Sequence, residues 1–239
     1  MLKKFVGENI KAILFDCDGT LVDSEYSHFI SWKLALLELD GDLGLDEYFH
    51  YVGKSADVNA KLLAKKIGRD IPDQILKLKR EFYEGLCKEG LPPIASTVDF
   101  LKRLGLRKES LGVKIGVCSA ARKPEILAHL KGLNIEHLID IVLSGEDDLD
   151  EYVDVEGVNK PKPYIYLHAM KGLGVSTENT IVIEDSLPGV IAGLTAGCFT
   201  IAIPSDYTEQ QDLSCADMMI KSFAGISVDE FFKMIEHSK

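Results

Sequence analysis

A doubly wound α/β fold, built on a mainly parallel Rossmann-like sheet with an all-helical insertion, is what this 239-residue sequence predicts. Three observations carry that expectation. Short apolar runs alternate with amphipathic stretches, the rhythm of parallel strands joined by crossover helices. That rhythm lapses between about residues 24 and 90, where only helical patterns are legible. Acidic and hydroxyl residues then gather at the ends of the apolar runs rather than inside them.

The elements follow in order. Ala12-Ile13-Leu14-Phe15 reads as a buried strand. Helical patterns near 24–39, 55–67 and 73–89 fill the interruption, and Leu91-Pro92-Pro93-Ile94 is a stiff return. Residues 113–118, 139–143, 180–183, 199–203 and 218–220 read as five further strands. Helices are expected near 123–132, 163–172, 187–196 and 227–237. Pro124, Pro163 and Pro188 fall near three of these helix starts, where a missing N–H costs nothing. The expected division is residues 1–23 with 92–239 as the α/β core and 24–91 as the helical insertion.

Composition narrows the function. The chain has 27 basic and 38 acidic residues, a net charge of −11, which opposes general binding to nucleic acid or anionic membranes. No run approaches the roughly 18 apolar residues of a membrane span. The start, Met1 to Glu8, lacks the apolar segment of a secretory signal. Five cysteines without paired spacing, with Cys17, Cys118 and Cys198 in or beside apolar runs, suggest a reducing, cytoplasmic setting.

Ligands of open parallel sheets sit beyond the carboxyl ends of the strands. Here those ends carry Asp16 and Asp18, then Ser119, then Glu184 and Asp185, while Lys160 precedes a helix. Asp16 and Asp18 alone could be turn residues. A second carboxylate pair at another strand end weakens that reading, because clustered carboxylates repel unless a cation neutralises them. Oxygen-only ligands suggest Mg²⁺. A metal-bound carboxylate beside a lysine and a hydroxyl suits phosphoryl transfer to Asp.

The run Asp16-Cys17-Asp18-Gly19-Thr20-Leu21-Val22-Asp23-Ser24-Glu25 resembles the first motif of the haloacid dehalogenase superfamily. Ser119, Lys160 and Glu184-Asp185-Ser186, followed by Gly189, match its second, third and fourth motifs in order. The resemblance spans essentially the whole chain and points to the β-phosphoglucomutase-like phosphatase subgroup, which carries a helical C1-type cap after the first motif. It implies Asp16 as nucleophile, forming an aspartyl-phosphate, and Asp18 as general acid and then base. Ser119 would bind a phosphoryl oxygen and Lys160 would offset its charge. Asp16, the Asp18 carbonyl and Asp185 would hold Mg²⁺, with Glu184 as ligand or support. Ala120, directly after Ser119, and Lys54 complete the expected substrate-binding set with Ser119 and Lys160.

Other signals are weaker. Gly53-Lys54-Ser55 looks like the end of a nucleotide-binding loop, but Tyr48 stands where its first glycine belongs. The same tripeptide matches a loop of the cap in related phosphatases. His28 and Lys79 are kept outside the catalytic set, and Phe29, Trp32, Phe82 and Tyr83 are expected to pack the helical insertion. The acidic stretch from Gly145 to Glu151 reads as a solvated loop rather than a cation site.

The expected function is therefore a Mg²⁺-dependent phosphatase of a small phosphorylated metabolite, with a sugar phosphate as one candidate. A sugar phosphomutase is the alternative. Against it, Ala56 follows Ser55 where the mutases carry an arginine, and Ala120-Ala121 precede Arg122-Lys123 where they carry polar groups. A phosphorylation-switched signalling module ranks third, since such receivers are shorter and lack a cap.

Overall fold

The computed structural model describes residues 9–52, 54–88, 90–205, 207–208 and 211–238. Four apolar residues form the first strand, β1 (Ala12–Phe15), and all four are buried. A strand with no polar side must be covered on both faces, which puts it inside a sheet. On one side it pairs with β2 (Lys114–Ser119), beyond which lies β3 (Ile141–Ser144). On the other side lie β4 (Thr180–Glu184), β5 (Phe199–Ala202) and the two-residue β6 (Met218–Met219). The order is β3-β2-β1-β4-β5-β6 and every pairing is parallel. The chain runs outward from β1 to β3, returns, and runs outward again from β4 to β6. That reversal makes the carboxyl ends of β1 and β4 the switch point of the sheet.

The chain packs as two compact units, one containing the residues up to Val22 and from Pro93 onward, the other Asp23–Pro92. The two connections run side by side. Ile94 N donates to Leu21 O at 2.9 Å, and Asp23 N donates to Pro92 O at 2.8 Å.

The second unit contains α1 (Glu25–Leu37), the single-turn α2 (Leu45–Tyr48), α3 (Ala56–Lys66) and α4 (Pro72–Cys87). Pro72 opens α4, and Ser55 caps α3 by accepting Val58 N at 3.4 Å. Along α4, Ile75, Leu76, Lys79 and Tyr83 recur at helical spacing and are buried as it packs against α1 and α3. Phe29 and Trp32 of α1 are buried as expected, whereas Phe82 falls beside the buried stripe of α4 and is only half-buried. His28 stacks on Tyr83 with ring centroids 4.2 Å apart. The Lys79 ammonium sits 4.2 Å from the same ring and 5.8 Å from that of Trp32, so its burial is compensated in part by aromatic faces. α2 carries no sequence signal long enough to predict. It buries Tyr48, whose hydroxyl donates to Glu25 Oε2 at 2.8 Å.

In the first unit, α5 (Ala95–Gly105) and the single-turn α6 (Lys108–Leu111) precede β2 and lie outside the sequence expectations. Ile94 supplies no side-chain cap, and Ser96, Thr97, Val98 and Gly105 are modest helix formers. Packing decides instead. Thr97, Phe100, Leu101 and Leu104 lie on the buried face of α5, and Phe100 stacks on Phe223 at 4.2 Å. Phe100 also meets Phe231 of α10 (Val228–His237) edge-on at 4.9 Å. Between them in sequence come α7 (Lys123–Gly132), α8 (Tyr164–Leu173) and α9 (Leu187–Ala196). Ile165, Tyr166, Ala169 and Met170 of α8 and Ala192 and Ala196 of α9 form one core cluster with Leu14, Cys118 and Val182 of the sheet.

The acidic stretch after β3 is not simply solvated. Asp147 Oδ2 accepts the first backbone N–H of α7, from Lys123, at 2.6 Å. Asp148 Oδ2 accepts Ser144 N and Lys123 Nζ, both at 2.7 Å. Two carboxylates near a helix N-terminus complement its free N–H groups and positive dipole end, which is why part of this loop is held to the protein.

Candidate active site

Strand register sets the site. Phe15 lies beside Val117 of β2 and Ile183 of β4, so the three strands end within two residues of that level. Asp16 follows β1, and its backbone N–H still donates to Ile183 O at 2.9 Å. Glu184 ends β4 and Asp185 follows it, while Ser119 ends β2. Asp16 and Asp185 are only 6% and 3% exposed, and Glu184 is fully buried. A ligand oxygen from each of the three lies within 4.8 Å of the others.

Lys160 binds this group together. Its ammonium donates to Asp16 Oδ1 at 2.5 Å, Glu184 Oε1 at 2.6 Å and the Cys118 carbonyl at 2.9 Å. Three donors meet three acceptors, which uses every proton of the group. Burial disfavours the Lys160 cation, but Asp16 and Glu184 outweigh it and raise the ammonium above its ordinary range. Burial likewise pushes the Asp16 carboxyl well up, opposed by Lys160 and reinforced by Glu184 and Asp18. Three buried carboxylates lie together and one ammonium pairs with two of them, so the cluster favours additional positive charge.

Two glycines make room. Gly19, with φ of +81°, takes a conformation that side chains rarely adopt. A Cβ there would also lie 2.1 Å from Asp185 Oδ2, and one on Gly189 would lie 2.0 Å from Glu184 Oε2. Both positions therefore admit a carboxylate only because no side chain is present.

Around the cluster, the Ser119 hydroxyl donates to Asp18 Oδ2 at 3.0 Å and accepts Ala121 N at 3.0 Å. Asp18 is half-buried within a tight turn, in which Gly19 N donates to Val22 O at 2.8 Å. Ala120 is exposed directly after Ser119. Lys54 is exposed in the second unit and donates to the His50 carbonyl. Its neighbour Gly53 lies outside the described residues. The structure thus brings Asp16, Lys160, Glu184 and Asp185 together, and joins Ser119 to Asp18.

Several contributors escaped the sequence reading. Tyr166, wholly buried on α8, donates its hydroxyl to Glu184 Oε1, and the Lys160 ammonium lies 5.3 Å from its ring. Ser205 Oγ donates to Asp185 Oδ2 at 3.2 Å. Spacing from Lys160 offered the only signal for Tyr166, and nothing local marks Ser205. The thiols of Cys17 and Cys118 are pushed up by burial, so neither supplies a thiolate.

Oxygen donors alone, three of them buried carboxylates, suit a hard divalent cation better than zinc or copper. A carboxylate oxygen fixed by a lysine at a sheet switch point suits attack on an electrophilic ligand. The sequence profile of the haloacid dehalogenase-like hydrolases matches residues 10–197, and this span holds every one of these groups except Ser205. The chain belongs to that family. It is accordingly an enzyme of the hydrolase class, and its six-stranded parallel sheet is the family's core fold.

Named relatives agree. Protein CbbY of Cereibacter sphaeroides is 29% identical over 229 residues, covering 90% of this chain and 93% of its own. A phosphoglycolate phosphatase of Shigella boydii is 26% identical over 242 residues, covering 90% of each. Among solved structures, a point mutant of CbbY from Rhodobacter sphaeroides in complex with xylulose-(1,5)bisphosphate superposes with a TM-score of 0.77. It has 24% identity and covers 92% of this chain and 98% of that one. A β-phosphoglucomutase from Clostridium difficile gives 0.75 at 21% identity, covering 95% and 98%. These last two likenesses speak to the fold, which phosphatases and mutases share. Among the described residues no helix is long and apolar enough to cross a membrane.

Proposed function

We propose that this hydrolase is a Mg²⁺-dependent phosphatase of a small phosphorylated metabolite, working through an aspartyl-phosphate on Asp16. The observation that carries the reading is the buried group of Asp16, Glu184 and Asp185, two of which pair with a single lysine. Asp16, Asp185 and the Asp18 carbonyl would hold Mg²⁺, with Glu184 as ligand or support, and the ion would offset charge on the phosphoryl oxygens. Hydrolase membership and phosphatase-named relatives support the reaction class.

The chain's own groups account for the remaining steps. An Asp16 carboxylate oxygen attacks phosphorus as the ester P–O bond breaks, and the departing oxygen takes a proton from Asp18. Asp18, now a carboxylate, removes a proton from water. The water oxygen attacks phosphorus and the Asp16–phosphate bond breaks, releasing inorganic phosphate. Ser119 would exchange its bond to Asp18 for one to a phosphoryl oxygen, leaving Asp18 available for proton transfer. Lys160 neutralises Asp16 and the incoming phosphate. Ala120 would line the phosphoryl pocket without a competing side chain, and Lys54 of the helical unit, read here as a cap, would bind the remainder of the substrate. Five free cysteines, three of them buried, support a reducing cytoplasmic setting.

The mutase alternative has weaker support. Arg122, a cation that could replace the missing distal-phosphate arginine, binds Glu125 Oε1 through Nε at 2.9 Å and Nη2 at 2.6 Å. Phosphate release from p-nitrophenyl phosphate and a panel of sugar phosphates tests the proposal. It should require Mg²⁺, stop in EDTA and return when Mg²⁺ is restored. Full activity in EDTA would falsify the metal-dependent reading. Formation of glucose 6-phosphate dependent on a bisphosphorylated sugar would favour the mutase.

A further inference from the structure

We infer that Thr208 and Ser205 form a hydroxyl relay that positions Asp185 for a divalent cation. The inference rests on the metal-dependent reading above and assigns a role to the loop after β5, which no motif covers. Ser205 Oγ lies 3.2 Å from Asp185 Oδ2 and 2.9 Å from Thr208 Oγ1. Proton accounting sets the direction. A carboxylate only accepts, so the single Ser205 hydroxyl proton goes to Asp185, and the Thr208 hydroxyl donates to Ser205 Oγ, the nearer of two acceptors, the other being the Ser205 carbonyl at 3.4 Å. Thr208 Oγ1 in turn accepts Ser205 N at 2.9 Å, which fixes both side chains in one turn.

Burial argues that this is more than a surface turn. Thr208 is 1% exposed and Asp185 is 3% exposed, so both ends of the relay are shielded from water, with the half-buried Ser205 between them. Gly19 also lies close, since a Cβ there would be within 3 Å of all three atoms of the Asp185 carboxyl group. The carboxylate thus sits against the Gly19 backbone, where no side chain intrudes, and accepts a neutral donor. A neutral hydroxyl orients it without an added positive charge, whereas a lysine in that place would compete with the cation. Lys160 contacts Asp16 and Glu184, and Ser205 supplies the corresponding hydrogen bond to Asp185.

Ser205 is therefore a positioning residue acting through Asp185. Outer hydrogen bonds to ligating groups typically contribute about 10–100-fold in metal affinity. Mn²⁺ binding to the full chain, followed by electron paramagnetic resonance or titration calorimetry, should weaken about 10-fold in Ser205→Ala. Ser205→Thr, which keeps the hydroxyl, should restore it, and Thr208→Val should weaken it less. The concentration of Mg²⁺ giving half-maximal phosphatase activity should rise in parallel, with kcat at saturating Mg²⁺ changing less. Wild-type Mn²⁺ affinity in a folded Ser205→Ala protein overturns the relay and leaves the metal reading intact. Equal weakening in Ser205→Ala and Ser205→Thr also overturns it. No Mn²⁺ binding by the wild-type chain overturns the metal reading itself, and the relay with it.

Discussion

Lys160 and Lys123 each reach a carboxylate and a strand carbonyl near the carboxyl edge of the same sheet. Lys160 takes Asp16, Glu184 and the Cys118 carbonyl, while Lys123 takes Asp148 and the Val142 carbonyl. Their surroundings differ. The Lys160 side chain is 6% exposed, whereas Lys123 and Asp148 are 30% and 26% exposed. Asp148 also accepts Ser144 N, so one charge meets one charge with a backbone donor and water nearby. Around Lys160 one ammonium meets two buried carboxylates, Asp16 and Glu184, and a third, Asp185, lies beside them. Buried ion pairs are common scaffolding, so pairing alone does not separate a site from an anchor. The excess of one charge at low solvent access does, because it leaves an electrostatic demand that a ligand can meet.

The largest expected effect breaks the Lys160 side of this comparison. Asp16→Asn should reduce phosphate release to background with the fold retained, checked by turnover of p-nitrophenyl phosphate and by thermal melting. Near-wild-type turnover would reassign the nucleophile. Asp18→Asn should lose about 10²–10⁴-fold in kcat, the usual contribution of proton transfer.

Gly189→Ala removes no charged group and changes only the space for Glu184. A Cβ 2.0 Å from that carboxylate must displace it, so Mn²⁺ affinity should fall by about 10–100-fold. Unchanged affinity would show that Glu184 is not held where the ion binds. Asp148→Ala addresses the other cluster. It should lower unfolding free energy by about 1–3 kcal/mol in urea titrations, by leaving Ser144 N–H and the Lys123 ammonium short of a partner. Turnover at saturating substrate should stay near wild type. A large loss of turnover at unchanged stability would make the second cluster part of the reaction.

The smallest effect expected is that of Lys54→Ala. KM for a sugar phosphate should rise severalfold while hydrolysis of p-nitrophenyl phosphate stays unchanged, since remote contacts act only on substrates large enough to reach them. Equal losses on both substrates would assign Lys54 a structural role instead.

The sequence by itself determined the sheet and what stands at its edge. Runs such as Ala12–Phe15 and Ile181–Ile183 have no polar side, so they belong inside the sheet, and the residues after them emerge at the carboxyl edge. The positions of Asp16, Glu184, Asp185 and Ser119 at that edge were legible for this reason. Tertiary structure alone decided α5, whose weak local signals are overridden by Phe223 and Phe231 packing on Phe100. It decided that Asp147 and Asp148 hold the start of α7 rather than standing in water. It also decided which side chains steady the carboxylates. Tyr166 reaches Glu184 across 18 residues and Ser205 reaches Asp185 across 20, contacts set by where a helix and a loop pack. Local pattern encodes which face of a segment is buried, whereas a hydrogen bond between distant segments depends on their relative position to within a few tenths of an ångström, which only the packed chain fixes.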